Sequence, residues 1–175
     1  MADINQLITN FYDQAVARDF SRDFSYRVLN IEPGPVSERT IFEESDLIYA
    51  KGGQIPGRNI TNVQAKYMGL NFNVPGVVQY PGSDGYRLEF YCDRDSTLRN
   101  KLEAWSRDIF NDTNSTGNYY VPTKDSYIVM AQLTPDFKVV EGGKYKLVGV
   151  SIRNIGELKY NIAGGTGDLV SFDAT

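Results

Sequence analysis

Two acidic clusters contain the residues of this sequence that could do chemistry. The first is Asp93, Asp95 and Ser96, which follow an apolar alternating run and precede a helical pattern. Carboxylates two residues apart begin many Ca²⁺-binding loops, but such a loop also needs a glycine at its sixth position and a glutamate at its twelfth. Both are missing here. An acid that caps the first turn of the helix explains the whole segment, so a cap is the favoured interpretation.

The second cluster is Glu43, Glu44 and Asp46. Two carboxylates at a suitable separation could carry out glycoside hydrolysis. No second acidic cluster has an environment that would raise the pKa of a catalytic carboxyl group. A solvated loop is therefore the favoured interpretation.

Other catalytic chemistries lack their residues. The sequence has no histidine and a single cysteine, Cys92, which lies in an apolar run and is interpreted as a buried, inert thiol. The glycine-rich pieces "GGQIPG" and "AGGTGD" do not have the form of a phosphate-binding loop, and there is no G-x-S-x-G motif. These absences favour a structural or binding protein over an enzyme, with no metal and no cofactor.

The charge of the chain also restricts its partners. The formal net charge is −4 and the basic residues are spread singly along the sequence. A protein that holds nucleic acid tightly is normally basic. We therefore expect the protein to repel DNA or RNA slightly.

The elements that position these residues begin with an amphipathic helix. The 175 residues are expected to form one domain, 1–175. Asp3 and Gln6 have the spacing of a capping box, and the segment has too few consecutive apolar residues for a signal peptide or a membrane span. A soluble protein made in the cytoplasm is expected. Apolar residues with helical periodicity predict a helix over residues 3–17: Ile4, Leu7, Ile8, Phe11, Tyr12, Ala15 and Val16.

Most of the remaining sequence predicts strands. Strands are expected from Phe24, in a hairpin around Met68-Gly69, over residues 86–92, from Ser126, from Lys144, and in "GELKYNI" and "DLVSFDAT". Turns are expected at Pro75-Gly76 and Pro81-Gly82. The fold class is therefore mainly β, an antiparallel sandwich or barrel of about seven or eight strands with an N-terminal helix and an outer helix at about 96–110.

One long segment, at about 32–55, is predicted to be an extended loop. It is rich in proline, glycine and acidic residues and is too long for a hairpin turn. Exposed apolar residues in such a loop favour contact with a partner. The candidates are Ile41, Phe42, Leu47, Ile48 and Tyr49.

The outer helix carries the single tryptophan of the chain. Its apolar residues recur at helical spacing directly after the acidic turn, which predicts that one face of the helix is anchored on the sheet. The anchor residues are Leu98, Leu102, Trp105 and Ile109.

Several segments, in order, resemble the tail tube protein of long contractile-tailed bacteriophages. "ARDFSRDFSYRVLNI" is similar to the opening of that family, and "IPGRNI", with Pro56 and Arg58, resembles the start of its inner-barrel hairpin. "YRLEFYCDRDSTLRNKLEAWSRDI" resembles its strand, acidic turn and outer helix. "SYIVMAQL", "YKLVGVSIRNIGELKYNI" and "LVSFDAT" resemble its late strands. The resemblance covers nearly the whole chain.

The resemblance implies a structural virion protein. Six copies would form a ring, the inner strands of neighbouring copies would join into a continuous barrel, and rings would stack into a hollow tube. The implied partners are further copies of the chain, the tail sheath, the baseplate and the tape-measure protein. DNA would pass through the lumen, where a mildly acidic wall would let it slide without being held. No stable membrane association is implied. The protein would be assembled in the host cytoplasm, and the long loop with Pro56 and Arg58 would contact another subunit or ring.

Three other functions remain open at this point. A tube-initiator ring of the baseplate, or the tube of a phage-like injection system, would share the same fold. The tyrosine content also suits a monomeric carbohydrate-binding β-sandwich. A carboxylate-based glycosidase is the third.

Overall fold

The computed structural model describes residues 4–37, 40–80, 85–117 and 125–175. Asp3 and the Pro81-Gly82 turn lie outside these ranges. Within them, no helix is long and apolar enough to span a bilayer. The helices are α1 (Ile4–Arg18), α2 (Glu44–Leu47) and α3 (Thr97–Ile109), with a 3₁₀ turn at Gly34–Ser37. The strands are β1 (Tyr26–Glu32), β2 (Ala50–Gly53), β3 (Asn59–Tyr67), β4 (Leu70–Gln79), β5 (Leu88–Tyr91), β6 (Phe110–Asn111), β7 (Thr116–Gly117), β8 (Tyr127–Leu133), β9 (Val139–Val148) and β10 (Ser171–Ala174).

The strands form antiparallel sheets, which confirms the predicted mainly-β class. One three-stranded sheet has the order β1-β8-β9 and a second has the order β10-β5-β2. β3 and β4 form a separate hairpin, as do the two-residue strands β6 and β7. The described strands of one chain close no barrel.

The core lies between the two three-stranded sheets and α3. Every second side chain of β1 and β8 points into the core, where it meets every second side chain of β5 and β10. This pattern arises because successive side chains of a strand point to opposite faces. α3 covers this apolar layer with the face that carries Trp105. The most buried members are Val28, Ile31, Leu88, Phe90, Leu98, Leu102, Trp105, Met130 and Phe172.

The acidic turn before α3 is a helix cap, as predicted. The backbone N–H of Thr97 donates to Asp93 Oδ2 at 2.8 Å. Ser96 occupies the N-cap position with a left-handed backbone (φ 52°) and makes no capping hydrogen bond through its own side chain. The capping oxygen therefore comes from Asp93, which lies three residues before the N-cap residue that usually supplies it.

The predicted extended loop contains more regular structure than its composition suggested. It includes the 3₁₀ turn, α2 and strand β2, which pairs with β5 in the core sheet. Glu43 and Asp46 form a capping box at α2, so these acids act as helix caps. The composition is rich in turn residues because three short elements follow one another within a few residues.

Three other expectations differ from the structure. Pro75-Gly76 does not turn the chain but lies within β4, beside a bulge where the pairing register shifts between Ile60 and Asn62. The "GELKYNI" segment forms no strand, and the isolated bridge to Ala174 is made by Ile155, the residue just before it. β9 begins at Val139, five residues before the predicted start, because Val139 pairs with Leu133 across a further register shift.

Candidate assembly interface

The β3–β4 hairpin is the most exposed regular element of the body of the chain. Tyr67 pairs with Leu70 at the predicted Met68-Gly69 turn, and Asn59 pairs with Gln79 at the other end. All of its residues are exposed except Thr61, which is half-buried. Strands of this length extend over about 30 Å. The hairpin therefore presents both of its faces and both of its edges to the surroundings of the subunit.

The two faces of the hairpin differ in chemistry. Cross-strand partners lie on the same face, and residues that alternate along a strand do as well. The side that we call the apolar face carries Val63, Ala65, Tyr67, Leu70, Phe72 and Val74. The side that we call the amide face carries Asn62, Gln64, Lys66, Asn71 and Asn73, and at the base of the hairpin it also carries Pro75, Ile60 and Val78.

The hairpin is incomplete in a single subunit. Among the described strands, β3 and β4 pair only with each other, so the outer edge of each has unpaired backbone groups. An isolated two-stranded hairpin is marginally stable in water, and open edges tend to recruit further strands. Both properties make the hairpin suited to pairing with strands of other chains.

A buried polar cluster fixes the point where the hairpin leaves the body. The hydroxyl oxygens of Tyr26 and Tyr86 are 3.0 Å apart, and the Tyr86 hydroxyl donates to the carbonyl of Gln54, between β2 and β3. Burial raises the pKa of both phenols, and the adjacent Tyr86 raises that of Tyr26 further. Both hydroxyls therefore stay protonated, and they attach Gln54, in the segment between β2 and the hairpin, to Tyr26 of β1 through Tyr86.

Gly53 beside this cluster gives a direct test of that attachment. A Cβ at Gly53 would lie 2.5 Å from the Tyr26 hydroxyl oxygen and 2.7 Å from Leu88 Cδ2, whereas a Cβ at Gly52 would meet nothing within 4 Å. Gly53→Ala is expected to lower the free energy of unfolding by about 1–3 kcal/mol through overpacking. Gly52→Ala, the matched control, should change it by less than about 0.5 kcal/mol. Urea unfolding of the two variants compares them directly, and equal stabilities would show that the cluster tolerates the extra methyl group.

The predicted contact residues of the loop divide into two groups. Phe42 and Leu47 are buried in the core of their own subunit, and the Phe42 ring packs edge-on against Trp105 at a centroid distance of 6.2 Å. They face inward because α2 folds back over α3, and so they cannot form an exposed contact surface. Ile41 and Ile48 are 69% and 72% exposed. Tyr49 and Arg58 are also exposed, and Pro56 is half-buried.

Two ion pairs hold this loop on the body of the subunit. Lys101 Nζ of α3 lies 2.6 Å from Asp46 Oδ2, in a partly buried site. Arg27 of β1 lies 2.6 Å from Glu44, in an exposed site. Partly buried pairs are screened less by salt than exposed ones. The Lys101–Asp46 pair is therefore the stronger of the two, and it fixes α2 with Ile41 and Ile48 pointing outward at either end.

The four predicted anchor residues lie on the core side of α3. Leu98, Leu102 and Trp105 are buried, and Ile109 is partly buried against the same cluster. Arg99 adds a polar attachment, because its Nη1 donates to the carbonyl of Gly156 at 2.7 Å. The helix thus connects the sheet to the segment that follows β9.

α1 has its own uncovered apolar surface. The helix forms as predicted, but its apolar side is not buried by the described chain. Leu7, Phe11 and Val16 are all more than half exposed. Exposed apolar helix faces of this kind mark contact sites between proteins.

The contact residues predicted from the sequence do not include the apolar face of the hairpin. The alternation of Val63, Ala65 and Tyr67 with polar residues was visible, but alternation alone predicts a strand with one covered face. It does not distinguish a face covered by the same chain from one left open.

The described residues offer little for catalysis. No group of three metal-ligating side chains occurs among them. A cavity of about 310 Å³ between α3 and the end of β9 is lined mostly by apolar residues, including Leu102, Trp105 and Ile128. Such a lining suits packing against an apolar group and provides no paired acid and base.

An exposed two-faced hairpin with two open edges has the form that strand pairing between protein chains requires. The sequence model of the phage tail tube protein family matches residues 20–139. The chain therefore belongs to the phage tail tube protein family and is a structural component of a virion tail. Membership of this structural family implies a non-enzymatic role. No curated protein matches the sequence.

Proposed function

We propose that copies of this chain pair through their β3–β4 hairpins and form the wall of a hollow tube. The observation that carries the proposal is the hairpin, which has an uncovered apolar face and two edges that the described strands of its own subunit leave unpaired. Edge-to-edge pairing would satisfy the backbone groups of both edges, and closure into a circle would leave no edge open. Family membership supports this arrangement.

The size and setting of the assembly follow from the family resemblance. Six copies form a ring, and rings stack into a tube inside a contractile sheath. When the sheath shortens, the tube penetrates the host envelope and conducts the genome. The sheath, baseplate and tape-measure proteins are the partners, and assembly takes place in the host cytoplasm before the tube becomes part of the virion.

The exposed part of the loop is proposed to contact the neighbouring ring. Ile41 and Ile48 are large, apolar and uncovered, and the ion pairs at α2 hold them in place. Tyr49, Pro56 and Arg58 extend the surface toward the base of the hairpin. Covering one exposed isoleucine contributes roughly 1–2 kcal/mol.

Removing those two isoleucines should weaken stacking more than ring formation. In the Ile41→Ser/Ile48→Ser variant, we expect shorter tubes or single rings at concentrations at which the unmodified protein forms long tubes. Ile162→Ser is the control, because Ile162 is fully exposed and lies far along the chain from the loop. Negative-stain microscopy with sedimentation measures both tube length and ring content. Tubes of normal length from the double variant would exclude the loop from the stacking contact.

The purified protein alone tests the proposed function. At micromolar concentration, negative-stain images should show rings or hollow tubes, and light scattering should show large particles. A single terminal ring that never stacks would instead favour a tube-initiator protein of the baseplate. A monomer that stays monomeric at all salt concentrations would contradict the proposal, and glycan binding by that monomer would support the carbohydrate-binding alternative.

A further inference from the structure

The acidic residues of the chain are unevenly distributed. Residues 47–83 contain no aspartate and no glutamate, but they contain Lys51, Arg58 and Lys66. The rest of the chain has 15 basic and 22 acidic residues, since the totals are 18 and 22. The stretch without acids includes the whole β3–β4 hairpin. The average charge of the chain therefore does not describe the hairpin, which is neutral except for one lysine.

That lysine lies on the amide face. Lys66 pairs with Asn71, next to Gln64 paired with Asn73, and all four side chains are exposed. Primary amides offer N–H donors as well as carbonyl acceptors, and the ammonium group offers three donors. The amide face thus combines hydrogen-bond donors and a positive charge with a complete lack of carboxylates.

We propose that the amide face lines the bore of the tube and forms a carboxylate-free, weakly basic track for nucleic acid. This inference rests on the proposed tube. It replaces the expectation that a mildly acidic wall lets DNA slide. The track consists of Asn62, Gln64, Lys66, Asn71 and Asn73 of every copy.

The orientation follows from the apolar face on the other side of the hairpin. A bore holds water and a passing polymer, so a face turned toward it stays wet. Turning Val63, Phe72 and Val74 toward water would leave the most apolar side of the hairpin uncovered in every copy. Turned outward, the same face is covered by the bodies of the subunits. Hydrophobic burial thus places the amides on the inside.

Charge complementarity selects nucleic acid as the occupant. Phosphates are repelled by carboxylates and attracted by ammonium groups, and affinity grows with the number of phosphates contacted. One lysine per copy attracts the polymer, while neutral amides form hydrogen bonds with phosphates that exchange readily with water. Such a wall accepts a polyanion but holds it weakly at physiological salt.

Cysteine labelling of assembled tubes tests the orientation. Asn71→Cys and Phe72→Cys are adjacent positions on opposite faces, and both side chains are exposed in the subunit. In tubes, we expect Asn71→Cys to react with N-ethylmaleimide but not with a maleimide carried by a large globular protein, which cannot enter the bore. Phe72→Cys should react at least tenfold more slowly with the small reagent. The unmodified protein gives the background from Cys92.

Retention of DNA tests the occupant. Tubes of Lys66→Glu should retain a short fluorescent duplex at low salt at least severalfold less than unmodified tubes, with a shallower salt dependence. Lys159→Glu is the matched control, since it makes the same charge change at an exposed position outside the hairpin. It should leave retention unchanged.

The outcomes separate this inference from the proposed function. If the unmodified protein forms no tubes, the proposed function fails. If tubes form but Phe72→Cys reacts as fast as or faster than Asn71→Cys, the apolar face lines the bore and the orientation is wrong. If labelling is as expected but Lys66→Glu and Lys159→Glu retain the duplex equally, the wall does not select nucleic acid.

Discussion

A Val74→Glu variant is expected to remain a folded monomer and to form no tubes. Val74 lies on the apolar face of the hairpin and is 47% exposed in the single subunit, so the carboxylate is well hydrated there. In the proposed assembly, the same position is covered, and an unpaired buried carboxylate costs several kcal/mol. A cost of roughly 4 kcal/mol raises the concentration required for assembly about a thousandfold.

The matched control for that variant is Asn73→Glu. It places the same charge one residue away, on the amide face, where the side chain stays in water within the proposed tube. Sedimentation and negative-stain images at a fixed concentration should show tubes for Asn73→Glu and only monomers for Val74→Glu. Thermal unfolding, measured at a concentration below that at which Asn73→Glu assembles, should be alike for the two variants. If Val74→Glu assembled as well as Asn73→Glu, the apolar face would not be part of the interface.

Trp105→Ala should have the largest effect on the stability of the subunit itself. The side chain of Trp105 is 3% exposed, it packs against Phe42, and it lies where α3 meets the core. Truncation of such a residue costs about 3–5 kcal/mol, from lost burial and the cavity that remains. Domains are stable by only about 5–15 kcal/mol, so much of the stability is removed. Urea unfolding followed by circular dichroism measures the change.

Arg107→Ala is the control for that prediction. Arg107 is on the solvent side of α3, and its ion pair with Glu103 at 3.3 Å is exposed. Exposed pairs of this kind contribute less than about 1 kcal/mol. A loss at Trp105 no larger than the loss at Arg107 would contradict the assignment of α3 as an anchored helix.

The parts of the fold that could be predicted from the sequence depend on local periodicity. Leu98, Leu102 and Trp105 recur at helical spacing, and the acid at Asp93 marks the start of the helix. The Met68-Gly69 turn could be recognised because strand-like alternation continues on both sides of it. In each case, the signal lies within about twenty residues.

The parts that could not be predicted depend on contacts between distant segments. Phe42 and Ile41 are adjacent, large and apolar, yet only Phe42 reaches the core. The difference arises because α2 folds back over α3, 55 residues further on at the Asp46–Lys101 pair. The prediction of a turn at Pro75-Gly76 is wrong for a similar reason. Dipeptides of this kind mark turns in general, but β4 accommodates this one at a bulge opposite Thr61.

Only part of the candidate interface can be predicted from the sequence, for a related reason. The apolar residues of the loop predict a contact surface, whereas alternation in the hairpin by itself predicts only a pair of strands. Its apolar face and open edges are visible only when the neighbouring strands of the subunit are known. The average charge of the chain likewise concealed the absence of acidic residues between Leu47 and Ser83.

A cryo-electron microscopy map of particles assembled from the purified protein tests the central claim most directly. The account predicts a ring in which β3 of one subunit forms backbone hydrogen bonds with β4 of the next, so that the hairpins make one continuous sheet around a bore. A map in which each hairpin folds back onto its own subunit, with no strand pairing between copies, would contradict it.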